Sequence, residues 1–234
     1  MMIFEKDKYI KFLEFFATNR SETSSQLSQD LFVIYFTGGK KDGFFLEIGA
    51  CNGFKLSNSL VLEKHGWKGI VSEPNPIWHN KLINRKCIIS KKAVFSKSGL
   101  KLKFKSVEKY PELSGLEQYL EKDNNYEFRN NANTNEVETI SLNDLIEENA
   151  SENNIDYISI DTEGSEYEIL KNFNFKKYNV EIITVEHNFV EKKRDLIFDL
   201  ITSHNYIRVF TNISRWDDWY IKKNNKILLS MMGN

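Results

Sequence analysis

The sequence predicts an α/β fold built on a mostly parallel sheet, and three observations point there. Short apolar runs of strand length alternate with stretches of helical periodicity from residue 44 to residue 210, a rhythm that buries a parallel sheet beneath crossover helices. The first run, Phe44-Phe45-Leu46-Glu47-Ile48, passes directly into Gly49-Ala50-Cys51-Asn52-Gly53. Small residues in such a turn let backbone N–H groups approach a ligand closely. Finally, 206–212 and 218–223 read as two antiparallel strands joined across Ser214 to Asp217.

Taken in order, residues 4–17 carry Phe4, Ile10, Phe12, Leu13, Phe15 and Phe16 at helical spacing, and Ser21 to Ser25 interrupts them. A second helix is expected over 26–35, ended by Gly38-Gly39. Residues 1–40 therefore read as a helical extension to a main domain spanning 41–234. Buried strands are expected at 44–49, 69–73, 87–95, 157–160, 181–186 and 205–210. Helices are expected at 54–65, 76–83, 141–149, 164–172 and 191–203. The polar, Asn-rich segment 100–139 breaks the rhythm, with turns at Tyr110-Pro111 and Ser114-Gly115. It reads as an inserted loop region over the site.

A chain of 234 residues, 41% hydrophobic and 28% charged, suits one α/β domain with modest additions. Its 32 basic and 33 acidic residues leave a net charge of -1, so no global field attracts nucleic acid. Cys51 and Cys87 are far apart and form no C-x-x-C pair, which fits a reducing cytoplasm rather than a disulfide scaffold. Charges at Glu5, Lys6, Asp7, Lys8 and Lys11 argue against a signal peptide or membrane insertion.

In open parallel sheets, ligands bind beyond the carboxyl ends of the strands. The first expected strand delivers Glu47 and Gly49 there. The dinucleotide fingerprint needs three glycines; this turn has two, and its acid suits a cationic ligand better than a phosphate. The second strand ends in Glu73-Pro74-Asn75-Pro76. A carboxylate at that position accepts bonds from both ribose hydroxyls of a nucleoside, although an acid before Pro76 also suits a helix N-terminus. Ile158-Ser159-Ile160 ends in Asp161-Thr162-Glu163-Gly164-Ser165-Glu166. Asp161 is costly at the end of a buried strand unless it binds something, whereas Glu166 reads as a structural acid at a helix start. The fifth strand ends in Glu186-His187-Asn188. Either His187 or Asp161 is a candidate general base, and Asp161, Glu186 and His187 together form a possible divalent-metal set. His65, His79 and His204 read as ordinary surface or helix-end residues.

Taken together, these residues resemble the FkbM family of S-adenosylmethionine (SAM)-dependent methyltransferases. The matching segments are Phe45-Leu46-Glu47-Ile48-Gly49-Ala50 with Gly53, Gly66-Trp67-Lys68-Gly69-Ile70 leading to Glu73-Pro74-Asn75, Ile140 to Leu145, Ile160 to Glu166, and Val185-Glu186-His187. Ser28-Gln29-Asp30-Leu31 and Asn58 are similar too, and the resemblance covers roughly residues 26–212. Thr162 stands where many relatives carry an apolar residue.

The resemblance implies a Rossmann-like seven-stranded sheet with a terminal antiparallel hairpin, and O-methylation of hydroxyls, often on sugars or polyketides. It places Glu47, Gly49, Asn52 and Gly53 at the methionine part of SAM, with Ala50 beside them. Glu73 and Pro74 fall at the ribose, Ala93, Val94, Ser114 and Gly115 near the adenine, and Asp161 and Glu163 at the transfer point. A cytoplasmic enzyme methylating a nucleotide-activated sugar for a surface polysaccharide is the leading expectation. Arg85, Lys86, Lys103, Lys105 and Arg129 could meet the diphosphate. A polyketide or other small-molecule hydroxyl, a non-catalytic adaptor and a nicotinamide oxidoreductase are the alternatives. The N-terminal helices could cover the sheet or make a homo-oligomer contact.

Overall fold

The computed structural model describes residues 5–120, 126–129, 132–150 and 153–233. Two N-terminal helices, α1 (Lys6–Asn19) and α2 (Gln29–Phe36), precede β1 (Phe44–Ile48), α3 (Leu60–Lys64), β2 (Lys68–Ser72), α4 (Pro76–Leu82) and β3 (Ile88–Ser90). Four short strands follow, interrupted by 3₁₀ turns: β4 (Ala93–Phe95), β5 (Lys101–Ser106), β6 (Gly115–Leu116) and β7 (Asn133–Ser141). The second half runs α5 (Leu142–Asn149), β8 (Asn154–Ile160), α6 (Glu166–Lys171), β9 (Asn179–Glu186) and α7 (Glu191–Ser203). It closes with β10 (Tyr206–Val209), β11 (Asp217–Lys222) and α8 (Lys226–Met232).

The main sheet has seven strands in the order β10-β11-β9-β8-β1-β2-β3. β11 runs antiparallel to both of its neighbours, and the other pairings are parallel. This is the sheet and terminal hairpin that the sequence predicted. Successive side chains of a strand point to opposite faces. Leu46, Ile48, Ile158, Ile160 and Ile183 accordingly pack with α5, α6 and α7. Phe45, Tyr157, Ile182 and Trp219 pack on the other face with Phe12, Phe32 and Phe36 of the N-terminal helices. Residues before 41 thus supply core on one face of the sheet, as a layer rather than an appendage. Asp30, fully buried, ties their entry down by accepting from Thr23, Ser24, Ser25 and Leu31. Phe4 lies outside the described residues. Among the described residues no helix is long and apolar enough to cross a membrane.

Three expectations need correction. The run 87–95 is two strands, because Lys91 and Lys92 break it: Lys91 is exposed and Lys92 pairs with Glu138 at 2.7 Å. β3 stays on the main sheet, while β4 leaves it to pair with β7. The helix expected over 54–65 keeps only 60–64, since Asn52 Oδ1 accepts from the N–H groups of Phe54 and Lys55, and Leu56 sits at φ 62°. Segment 100–139 is no simple loop. Its described part builds a second sheet, β4-β7-β5-β6, around Phe95, Phe104, Leu116 and Val137. Alternation of Lys101, Lys103 and Lys105 with Leu102 and Phe104 gives β5 one wet and one dry face; residues 121–125 and 130–131 of the segment lie outside the described residues.

The order of the sheet reverses between β1 and β8, and there the two strands finish in close contact. Asp161 N donates to the carbonyl of Ile48 at 2.9 Å. Gly49 takes φ +88°, and a Cβ added to it would lie 1.7 Å from the carbonyl oxygen of Asp161. Only glycine meets both conditions. Gly49→Ala is expected to lower the unfolding free energy by about 3 kcal/mol, read as a fall in the urea midpoint at unchanged slope. A midpoint indistinguishable from that of the native chain would show that the crossing relaxes freely.

Candidate active site

A cavity of about 430 Å³ opens at the carboxyl ends of β1, β2, β8 and β9, over the point where the strand order reverses. Topology puts it there: each strand pointing its C-terminus at this edge delivers the residues of its following turn. Glu47 shares its face of β1 with Phe45, beneath the turn before α3. Its Oε1 accepts from Asn58 N at 2.6 Å, and its Oε2 from the hydroxyls of Ser57 at 2.9 Å and Ser59 at 2.6 Å. Arg85 lies 3.7 Å away, and burial still holds the Glu47 carboxyl above its usual range. Glu47 lines the cavity, yet its oxygens serve the protein's own donors. Gly49, Ala50 and Cys51 also line it. Asn52 and Gly53 do not: the Asn52 side chain caps the turn, and the Gly53 carbonyl accepts from Arg85 Nη1 at 2.7 Å.

Glu73 ends β2, almost fully buried, with Oε2 accepting from Cys51 N and Oε1 from Asn75 N. Burial pushes its carboxyl up to about 7. Pro74 lines the wall beside it, and Ala93, Val94, Phe104, Leu116 and Ser114 form an apolar slot next to it. Ser114 Oγ is occupied by Asn75 Nδ2 and Val107 N, so it shapes the slot more than it offers a bond.

Across the cavity, the half-buried Asp161 and the buried Glu186 form a carboxyl pair. Burial raises both, and the charge of Asp161 pushes Glu186 well above the ordinary range. Two such groups in contact titrate as a unit and keep one proton between them. Glu163, at φ 58°, is bound by Arg129 Nη2 at 2.5 Å, and Asn188 Nδ2 bridges Glu163 and Glu186. Glu166 is structural as expected: it takes the N–H groups of Thr162 and Gly164 and pairs with Lys193 at 3.1 Å.

His187 is turned away from this wall. Its ring is buried, Nδ1 accepts from Phe189 N at 3.0 Å, and Nε2 lies 3.8 Å from Asp218. Burial lowers its pKa to about 4. The backbone alternation that points Glu186 into the cavity points the next residue out of it, so neither the base role nor the metal role expected of His187 has a geometric basis. The group of carboxylates that does come together is Asp161, Glu163 and Glu186, with oxygens within 4.8 Å of one another. Two of the cations expected to meet a diphosphate are likewise spent inside the protein. Arg85 joins Glu63, Ser57, Ser59 and Gly53, and Arg129 joins Glu163.

Sequence reasoning missed Gln26, Gln29, Lys55, Asn188, Phe189 and Trp216, which line the open side. Gln26 and Gln29 come from the segment read as an extension, and no local pattern announces that it folds back over the site. Asn58 had a signal, a polar Ser57-Asn58-Ser59 triplet interrupting an apolar helix pattern.

The fold is shared with one solved structure, and two others superimpose more weakly. A solved methyltransferase FkbM from Methylobacillus flagellatus KT superimposes with a TM-score of 0.50 at 12% identity over 91% of this chain, which spans 59% of that protein. A precorrin-6y C5,15-methyltransferase from Geobacter metallireducens GS-15 gives 0.43 at 10% identity, over 82% of this chain and 86% of that one. TrmK from M. capricolum, solved with S-adenosylhomocysteine, gives 0.38 at 16% identity, over 82% of this chain and 68% of that one. No curated protein matches the sequence significantly. The profile of the methyltransferase FkbM domain matches residues 47–216, a span running from the β1 carboxylate to the cavity wall at Trp216, and the chain belongs to the FkbM methyltransferase family.

Proposed function

We propose that the chain is a SAM-dependent O-methyltransferase acting on a sugar hydroxyl. The convergence of Glu47, Glu73, Asp161 and Glu186 from four strand ends on one cavity carries the reading. The residues present fit SAM. Glu73 would hold the ribose, the slot of Ala93, Val94, Phe104 and Leu116 would take the adenine, and a wall rich in carboxylates suits a ligand with two cationic centres. When bound, SAM supplies a methyl group on a sulfonium.

The rest of the chemistry falls to the chain. Asp161 stands at the transfer side of the cavity and accepts the proton of the acceptor hydroxyl, while its pairing with Glu186 holds it in place. A positioned base of this kind is worth roughly 10²–10⁴ in rate. Gln26, Asn188, Phe189 and Trp216 add amide groups and aromatic rings to the cavity lining, which suits a polyhydroxylated ring. The fuller form of the proposal is a nucleotide-activated sugar for a surface polysaccharide, with Lys55 as the cation in the wall. A second reading follows from the Asp161, Glu163 and Glu186 cluster: these hard oxygen ligands suit a divalent cation such as magnesium. Turnover that is lost on EDTA treatment and restored by magnesium would select it.

Calorimetry with SAM and with NAD tests the cofactor. Incubation with SAM and a panel of sugars and nucleotide sugars, followed by mass spectrometry for one added methyl, tests the reaction. Binding of NAD alone would remove the proposal. Asp161→Asn is expected to lower kcat, measured at saturating SAM, at least about 100-fold. Because burial raises the Asp161 carboxyl to about 6 and the base works ionised, kcat/KM, which reports the free enzyme, should climb as pH rises through about 6 and then level off; a flat profile from pH 5 to 8 argues for another base. His187→Asn is expected to keep kcat within about threefold and retain that profile, since the ring faces Asp218 and not the cavity; a drop of a hundredfold would return the base role to His187.

A further inference from the structure

Glu47 is the acid that the sequence offers to the methionine end of SAM, but in the folded chain it is already engaged. Three donors and a guanidinium surround its two oxygens, all of them from the protein. Asn58, beside it, is in the opposite condition. Its backbone N–H is fixed on Glu47, and its Nδ2 donates to Ser159 Oγ at 2.9 Å. It lines the cavity and is only 8% exposed, yet its Oδ1 is buried without a hydrogen-bond partner. A buried carbonyl left in that state is costly. The two anchors explain why it cannot turn aside to find a partner: one belongs to β1 and the other to β8, so the side chain is pinned across the reversal point of the sheet.

From this arrangement we infer that Asn58 Oδ1 receives the α-ammonium group of the amino-acid end of SAM. An ammonium carries donors and no acceptor, which is the complement of a lone carbonyl oxygen. Its charge is balanced by the Asp161 and Glu73 carboxyls that line the same cavity, while Glu47 acts one step back by holding the Asn58 backbone. Asn58 is therefore a ligand-binding residue that also sets how far the methionine end enters, and hence where the sulfonium stops. The inference rests on reading the cavity as a SAM site.

Calorimetry with three small molecules separates it from a structural role. S-adenosylhomocysteine and SAM carry the ammonium; 5′-deoxy-5′-methylthioadenosine has the same nucleoside and sulfur without the amino-acid end. Asn58→Leu is expected to weaken SAM and S-adenosylhomocysteine about tenfold or more, the worth of a charge-assisted bond, and to leave methylthioadenosine within twofold. Asn58→Asp keeps an acceptor oxygen, loses the Nδ2 donor, and should hold S-adenosylhomocysteine within about threefold of the native chain or more tightly. Ser159→Ala, which removes only the anchor, should also stay within about threefold. Equal weakening of all three molecules by Asn58→Leu, or an Asn58→Asp variant as impaired as Asn58→Leu, overturns the inference in favour of a packing role. If Asn58→Leu does not fold, the Asp and Ala variants decide by the same limits. A native chain that binds none of the three removes the SAM reading, and the inference with it.

Discussion

Everything at the site depends on how closely β1 and β8 finish together. The turn after β1 and the turn after β8 carry the groups that must face each other, and the two backbones meet where Gly49 has no side chain to hold them apart. The hydrogen bond from Asp161 N to the Ile48 carbonyl fixes their register. Any residue with a Cβ at position 49 would push Asp161 outward, and the Asp161–Glu186 pair would lose its geometry. The site is therefore a property of the strand crossing before it is a property of any acid.

Around this crossing the protein commits its polar groups unequally. Glu47 and Arg85 are consumed in holding the 52–59 turn, and both Glu73 oxygens accept from backbone N–H groups, whereas Asp161 and Glu186 pair with each other on the cavity lining. The same division applies on the far wall, where Arg129 neutralises Glu163 and Lys193 neutralises Glu166. Burying an ion pair is no source of stability in itself. Here its effect is local: it separates the acids that hold loops from the acids left for a ligand.

Much of this was legible in the sequence, for physical reasons that also explain the failures. Strands buried on both faces announce themselves as apolar runs, so β1, β2, β8 and β9 and the acids at their ends could be placed by eye. The mostly parallel sheet and its terminal hairpin followed. Side-chain direction one residue past a strand end was the weak point, and there His187 was assigned to a wall it does not reach. Lys91-Lys92, inside the run 87–95 expected as one strand, is the point where the chain changes sheets. The Lys/Leu/Phe alternation of β5 was hidden by its charge, because a strand with one solvated face resembles a polar loop in composition. Gln29 and Arg129 reach the site only through tertiary packing, about which local pattern says nothing.

The unequal commitment of acids has a consequence for the heat of any binding reaction at this site. Glu73 and the Asp161–Glu186 pair hold protons near neutrality because they are buried close together. A cation entering among them stabilises their ionised forms, so protons must leave as it arrives. Affinity is then linked to solution acidity even if the ligand itself does not titrate, and the measured enthalpy includes the ionisation heat of the buffer that takes up those protons. A cavity so lined would trade hydrogen ions for a larger cation.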